Sequence, residues 1–141
     1  MRKIRHVVMS GAAVLAAAGA VVTAAGPATA STTVRFQVPP APFGNPNGSF
    51  DVPAIRCVGV VGAKPGVITI TGGDDGRWGC TPSTPVHWIN LSTGVRGSAK
   101  LSHGLHGNPP TVDLRTGPGS VVVTVTPSGI TVPGFLSAQV R

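Results

Sequence analysis

A chain of 141 residues with 20 glycines and 14 prolines is long enough for one folded domain, and its backbone is interrupted too often for long helices. The formal net charge of +7 comes from eleven basic and four acidic residues. Three basic residues lie within the first five positions, and the others are scattered singly: Arg35, Arg56, Lys64, Arg77, Arg96, Lys100, Arg115 and Arg141. Because nucleic-acid-binding proteins usually carry a clustered basic stripe, we do not expect nucleic acid as a partner.

The first thirty residues have the pattern of a secretory signal peptide. Met1–His6 is basic, Val7–Val22 is rich in alanine and valine, and Ala28-Thr29-Ala30 ends the segment with small residues. The apolar stretch is too weakly hydrophobic for a membrane span and fits a leader with an A-x-A cleavage site. We expect residues 1–30 to be removed and residues 31–141 to be secreted as a single domain, without a membrane span or a lipid anchor.

Cys57 and Cys80 are the only cysteines in the chain. An even number of cysteines in an exported protein predicts a disulfide, whereas metal-binding or redox thiols favour the C-x-x-C spacing, which is absent here. Closing a loop of about 24 residues would stabilise the fold by roughly 3 kcal/mol in the chain-entropy model. Cys57 shares its face with Ile55 and Val61, so we expect it to point into the core.

Short runs of β-branched residues between glycines and prolines predict strands throughout residues 31–141. In chain order the candidate stretches are 33–38, 48–52, 54–61, 67–71, 77–80, 86–91, 95–102, 111–114, 120–126, 130–132 and 135–140. The stretches 48–52 and 54–61 are two strands or one strand broken by Pro53, and 111–114 is expected to pair only briefly. Thr33–Val38 alternates between apolar and polar residues and is stopped by Pro39-Pro40-Ala41-Pro42, so residues 31–47 are expected to be a partly extended N-terminal segment. The strand 86–91 has His87, Ile89 and Leu91 on one face and Val86, Trp88 and Asn90 on the other, and the pattern leaves open which is buried, although the large indole of Trp88 favours the second.

No window after residue 30 shows helical periodicity with caps, so we expect an all-β fold. About eight or nine short strands separated by frequent turns predict a small antiparallel β-sandwich of immunoglobulin-like architecture, with a small β-barrel as the alternative. The immunoglobulin family places a tryptophan between two distant cysteines, whereas Trp78 lies directly before Cys80. We therefore expect this chain to share the sandwich architecture of immunoglobulin domains without belonging to their family.

Residues that could carry catalysis are sparse. The chain has no glutamate, and Asp74-Asp75 lies in a glycine-flanked turn, where aspartate commonly bonds its own backbone. Ser102-His103 is not accompanied by a G-x-S-x-G motif. We expect no catalytic residue and no cofactor.

His103 and His106 form the strongest candidate for a metal site. Two imidazoles three residues apart suit zinc or copper, and Asp113 or His87 could supply a third ligand. The alternative is that His103 and His106 are solvent-exposed loop residues with no ligand. Metal binding through this pair therefore stands as a hypothesis for the structure.

Four features of the sequence carry a resemblance to known proteins. They are the leader ending in Ala28-Thr29-Ala30, the single cysteine pair, the frequent use of Ala, Gly, Val and Pro, and the segment Trp88-Ile89-Asn90-Leu91-Ser92-Thr93-Gly94. Together they resemble small secreted actinobacterial β-sandwich proteins with one disulfide, whose function is uncharacterised. The resemblance implies an exported β-sandwich and brings no activity or functional residue with it.

The function expected from these patterns is that of an exported, non-enzymatic β-sandwich protein of the cell envelope or extracellular space. Its role would be structural or would be to bind an envelope or extracellular partner that the sequence does not name. The alternatives are a metal-binding protein that uses His103 and His106, a secreted carrier with an apolar cleft between its sheets, and an inhibitor that presents the proline-bounded loop Thr81–Pro85.

Overall fold

Every regular element in the part of the chain that the structure describes, residues 30–42, 57–73, 80–104, 108–129 and 131–141, is a β-strand. The computed structural model has ten strands there: β1 (Thr32–Arg35), β2 (Ala41–Pro42), β3 (Cys57–Val61), β4 (Val67–Gly72), β5 (Pro85–Asn90), β6 (Arg96–Lys100), β7 (Val112–Arg115), β8 (Gly119–Val125), β9 (Thr131–Val132) and β10 (Gly134–Val140). Over the same residues, no helix has the length and apolarity needed to cross a membrane.

Eight of these strands form two four-stranded sheets. The first sheet has the order β1-β3-β4-β7 and the second β10-β8-β5-β6, while β2 and β9 pair with each other. All pairings are antiparallel, and neither sheet closes on itself to make a barrel. The prediction of a small antiparallel β-sandwich is confirmed.

The core lies between the two sheets because side chains on successive strand residues alternate in direction. In β10 the alternation is complete, with every second residue buried from Gly134 to Val140. In β5 the buried face contains Val86 and Asn90, and Trp88 packs against the core from the same side. The buried cluster consists of Phe36, Cys57, Val61, Ile68, Ile70, Cys80, Val86, Leu101, Leu114, Val121, Val123, Val125, Leu136, Ala138 and Val140.

The disulfide between Cys57 and Cys80 is present, with a Cα–Cα distance of 4.7 Å. Both cysteines are buried, so the bridge is part of the core, as the parity of Cys57 predicts. Strand β4 lies within the closed loop. The bridge therefore fixes the start of β3 to the chain that returns from β4.

The N-terminal segment differs from the single strand predicted over residues 33–38. β1 pairs with β3 in the first sheet only as far as Arg35. Phe36 then enters the core, and Val38 pairs with Phe135 of β10 in the second sheet through two backbone hydrogen bonds of 3.2 and 2.8 Å. Because the chain changes sheets here, Val38 is exposed instead of sharing the buried face of Phe36.

Asn90 is a fully buried amide that joins three parts of the chain. Its Nδ2 donates to the carbonyls of Thr116 and Pro118, at 2.9 and 3.0 Å, in the connection between β7 and β8. Its Oδ1 accepts from the backbone N–H groups of Ser92 and Thr93, at 3.0 and 3.3 Å, in the turn between β5 and β6. One side chain thus holds the crossover between the sheets and the turn that starts β6.

Several sequence-based predictions fall outside the described residues. They include residues 1–29 of the expected leader, the strand 48–52 and the return through Trp78. The short pairing of β2 with β9 was not predicted, because prolines 39, 40 and 42 indicate a break. Pro42 is tolerated in β2 because a two-residue ladder needs few backbone donors.

Removing the disulfide should destabilise the sandwich by about 3 kcal/mol, because the unfolded chain regains the entropy of an open loop. Urea unfolding of the variant Cys57→Ala/Cys80→Ala measures this loss against the wild-type chain. Reductant should lower the wild-type midpoint and leave that of the double variant unchanged. Equal midpoints for reduced and oxidised wild-type protein would contradict the prediction.

Replacing Asn90 with alanine should lower the free energy of unfolding by about 2–4 kcal/mol, since buried carbonyls and N–H groups lose their partners. Thr93→Ala is the matched control, because Thr93 lies in the same turn with an exposed side chain. Chemical denaturation of both variants compares the two positions. A midpoint for Asn90→Ala equal to that of Thr93→Ala would refute the role assigned to the amide.

Candidate functional site

The structure places His103 against Ser83. The His103 Nδ1 and Ser83 Oγ atoms share a hydrogen bond of 2.7 Å. Ser83 has a φ of 56°, the left-handed region that a serine seldom adopts. His106 lies outside the described residues, so metal binding by His103 and His106 stays a prediction. Within the described ranges, no group of three or more His, Cys, Asp or Glu side chains could hold a metal ion.

A serine hydroxyl next to an imidazole can act as a nucleophile when an acid orients the imidazole. Asp113 is the one acidic residue among those described, and its carboxylate is bound elsewhere. The described residues therefore supply a serine–histidine hydrogen bond without its third member. This hydrogen bond fastens the loop before β5 to the segment after β6.

Asp113 lies on the outer face of the first sheet, where it binds Lys64 and Thr69. The hydrogen bond from Lys64 Nζ, supported by one of 2.6 Å from Thr69 Oγ1, holds the pKa of Asp113 below its usual range. Lys64 and Asp113 are both well exposed, so the ion pair contributes little to stability. Its main effect is on the surface charge, because Asp113 neutralises Lys64 beside this sheet.

The loop Thr81–Pro85 is tied to the body of the protein. Thr84 is buried, and its Oγ1 donates to the carbonyl of Thr81 at 2.8 Å. The Leu101 N–H donates to the Thr84 carbonyl at 3.0 Å, which extends the ladder between β5 and β6. Thr84 is thus held inward while Pro82 and Pro85 stay exposed, so the loop gives limited support to the inhibitor hypothesis.

One candidate surface is the outer face of the second sheet, where two rows of side chains cross the strands. One row contains Phe135, Thr124, His87 and Ser98, and the next contains Ser137, Val122, Ile89 and Arg96. A shallow depression of about 360 Å³ lies within these rows. We call its side chains the outer patch: His87, Ile89, Arg96, Ser98, Val122 and Thr124.

The outer patch combines an apolar floor with a basic margin. Val122 and Ile89, on neighbouring strands, are half-buried, and Arg96 on β6 is exposed. Lys100 continues the margin, because it points to the same face of β6 as Arg96 and Ser98. Sequence patterns did not identify this set. The sequence feature that could have indicated an apolar outer surface is the Val121-Val122-Val123 run of β8, which is typical of a strand covered on both faces.

A second opening lies between the two sheets at the edge formed by β1 and β10. It has a volume of about 300 Å³ and is lined by Ala30, Thr32, Val34, Val61, Gly62, Gln139 and Arg141. Deeper between the sheets, Ile68, Val86 and Leu136 have no exposed surface. At these residues the space between the sheets is closed to solvent, which gives little support to a carrier with an apolar cleft.

Substitution of Lys64 by methionine should raise the pKa of Asp113 toward the usual range, because the strongest donor to the carboxylate is lost. In the wild-type chain the stabilisation from Asp113 is complete above about pH 3.9, the ordinary pKa of aspartate, and is lost as the pH falls below it toward the lowered folded-state pKa. Carboxyl NMR titration measures the pKa. Lys100→Met removes the same charge from the other sheet and should leave it unchanged. Identical titrations in the two variants would contradict the assignment.

Comparison with known proteins gives no match for this chain. No protein-family model fits it, and no curated protein or solved structure is significantly similar. A function for the chain therefore has to follow from its own residues and their geometry.

Proposed function

We propose that residues 31–141 act as an exported, non-enzymatic binding protein of the cell envelope or extracellular space, and that the outer patch binds a negatively charged ligand. The leader pattern of residues 1–30 supports export. The Cys57–Cys80 disulfide supports it independently, because such bonds persist in oxidising compartments. The resemblance to small secreted actinobacterial β-sandwiches agrees with this location.

The observation that carries the proposal is the combination of positive charge, unpaired among the described residues, with an apolar depression on the outer face of the second sheet. On the first sheet, Lys64 is neutralised by Asp113. On the second sheet, Arg96 and Lys100 have no ion-pair partner among the described residues, and none of the described residues on that face is acidic. Arg35 and Arg115 on the first sheet also have no ion-pair partner among the described residues, so the depression beside Arg96, and not charge alone, favours the second sheet for an anionic ligand.

The apolar floor gives the patch more than charge. Val122 and Ile89 lie side by side in the register of β8 and β5 and retain partial exposure. Scattered apolar residues on a surface are ordinary, whereas adjacent ones next to polar groups are typical of binding surfaces. A ligand that places carbon atoms over this floor and a negative group at the Arg96 margin would use both features.

Charge reversal in Arg96→Glu/Lys100→Glu should weaken binding of poly-L-glutamate, used as a carboxylate probe, about tenfold, since two attractions become repulsions. Biolayer interferometry at several salt concentrations measures the dissociation constant. Salt should weaken wild-type binding and affect the double variant less.

The matched control is Arg35→Glu/Arg115→Glu, which changes the net charge equally on the outer face of the first sheet. The two residues pair with Val58 and Val67, outside the core-facing rows. Wild-type affinity in this control supports the outer patch. An equal loss in both double variants would show a general charge effect and would refute the proposed site.

A further inference from the structure

The two edge strands of the second sheet, β10 and β6, differ in whether another part of the chain covers them. At the β10 edge, the backbone of Val38 exchanges hydrogen bonds with Phe135. The Gln37 side chain continues this cover, because its Oε1 accepts from the Ser137 N–H at 2.7 Å. Residues 37 and 38 thus occupy the position of an added strand along part of β10. No described residue does the same for β6.

The alternation of hydrogen-bonded residues along β6 shows which of its backbone groups face the open edge. The Asn90 N–H donates to the Val95 carbonyl at 2.7 Å, and the Leu101 N–H donates to the Thr84 carbonyl at 3.0 Å. In an antiparallel ladder the bonded residues alternate, so Gly97 and Ala99 also face β5. The N–H and C=O groups of Arg96, Ser98 and Lys100 therefore point away from β5, and none of them has a backbone partner among the described residues.

Side chains on both faces of β6 define what could lie alongside it. On the outer face, Arg96 and Lys100 are exposed and are separated by Ser98. On the inner face, Ala99 packs against the core, and the indole of the half-buried Trp88 is so close to Gly97 that a Cβ there would be 2.8 Å from its Cζ2. A neighbouring strand would therefore meet positive charge on one face and apolar surface on the other.

We propose that β6 accepts an extended acidic peptide as an added antiparallel strand. This inference rests on the proposed function, because it assigns the anionic ligand of the outer patch to a protein segment. The peptide carries acids at positions i and i+4, facing Lys100 and Arg96, and a small polar residue at i+2 beside Ser98. Apolar residues at i+1 and i+3 extend the inner face next to Gly97 and Ala99. Main-chain hydrogen bonds provide affinity, and the alternating side chains provide specificity.

Charge complementarity favours this occupant over a second copy of the chain. If two β6 strands paired around Ser98, Arg96 of one copy would lie opposite Lys100 of the other. Like charges directly opposite each other destabilise a sheet. Basic side chains on an edge discourage pairing with a strand of the same charge, and they attract an acidic one.

The decisive variant is Ser98→Pro, with Ser98→Ala as its matched control. The Ser98 N–H faces the open edge, so proline removes no hydrogen bond to β5 and remains compatible with an edge strand. The probe is a nine-residue peptide, Thr-Val-Glu-Val-Thr-Val-Glu-Val-Thr, titrated against the full chain by calorimetry. Ser98→Ala measures the effect of losing the hydroxyl alone, and Ser98→Pro should bind the peptide at least tenfold more weakly than Ser98→Ala because it also loses the backbone N–H.

A modified peptide tests the same bond without changing the protein. N-methylation of the central threonine blocks the N–H that pairs with the Ser98 carbonyl, whereas N-methylation of an adjacent valine blocks an N–H that points away. The first peptide should lose binding and the second should keep it. This comparison decides the question even if Ser98→Pro fails to fold, which circular dichroism would show.

Each other outcome overturns the inference in a distinguishable way. If Arg96→Glu/Lys100→Glu loses peptide binding while Ser98→Pro and the central N-methyl peptide do not, the outer patch binds the acids without strand addition. If poly-L-glutamate binds and the peptide does not, strand addition fails and the proposed function stands. If neither probe binds, both fail. A dimer in analytical ultracentrifugation that Ser98→Pro dissociates would assign the edge to a second copy.

Discussion

The buried amide of Asn90 is the contact on which the geometry of the second sheet depends. It holds the turn that leads from β5 into β6 and, with the same side chain, the crossover that brings the chain from β7 to β8. Gly119 follows this crossover with a φ of 135°, and a Cβ there would lie 2.7 Å from Asn90 Oδ1. The position therefore needs glycine for both conformation and space. Because the turn sets the register of β6, the amide also decides which residues of that strand face solvent.

The N-terminal segment determines which edge of the second sheet is available. By leaving the first sheet after Arg35, the chain buries Phe36 between the layers and brings Gln37 and Val38 to β10. An unpaired strand edge is a template for pairing with other chains, and covering it is a common solution. Here the cover protects β10, while β6 carries exposed basic side chains. The fold thus separates a covered edge from an edge whose charge selects what can approach it.

The outer patch and the edge of β6 are two parts of one surface. Arg96 and Ser98 belong to both, since their side chains line the depression and their backbone groups face the open edge. A ligand with negative charge and an extended backbone would use the whole surface, whereas a compact anion would use the depression alone. The Ser83–His103 hydrogen bond lies beyond the end of this strand and fastens the adjacent loops. Variants of Arg96 and Ser98 therefore test ligand binding by this surface separately from the metal binding that the sequence suggests for His103 and His106.

The sequence by itself determined the all-β class, the disulfide and most strand positions. β-branched runs such as 120–126 have a strong local preference, two cysteines allow one pairing, and the parity of Cys57 indicates its buried face. For β5 the sequence left both faces open, and only the size of the Trp88 indole favoured the one that is buried. It did not reveal the change of sheets at Phe36, the role of Asn90 or the outer patch. Those features depend on contacts between residues distant in sequence, such as Asn90 with Thr116 and Val38 with Phe135. Only the tertiary structure decided them, because strand order and register determine which polar groups meet and which backbone edge remains open.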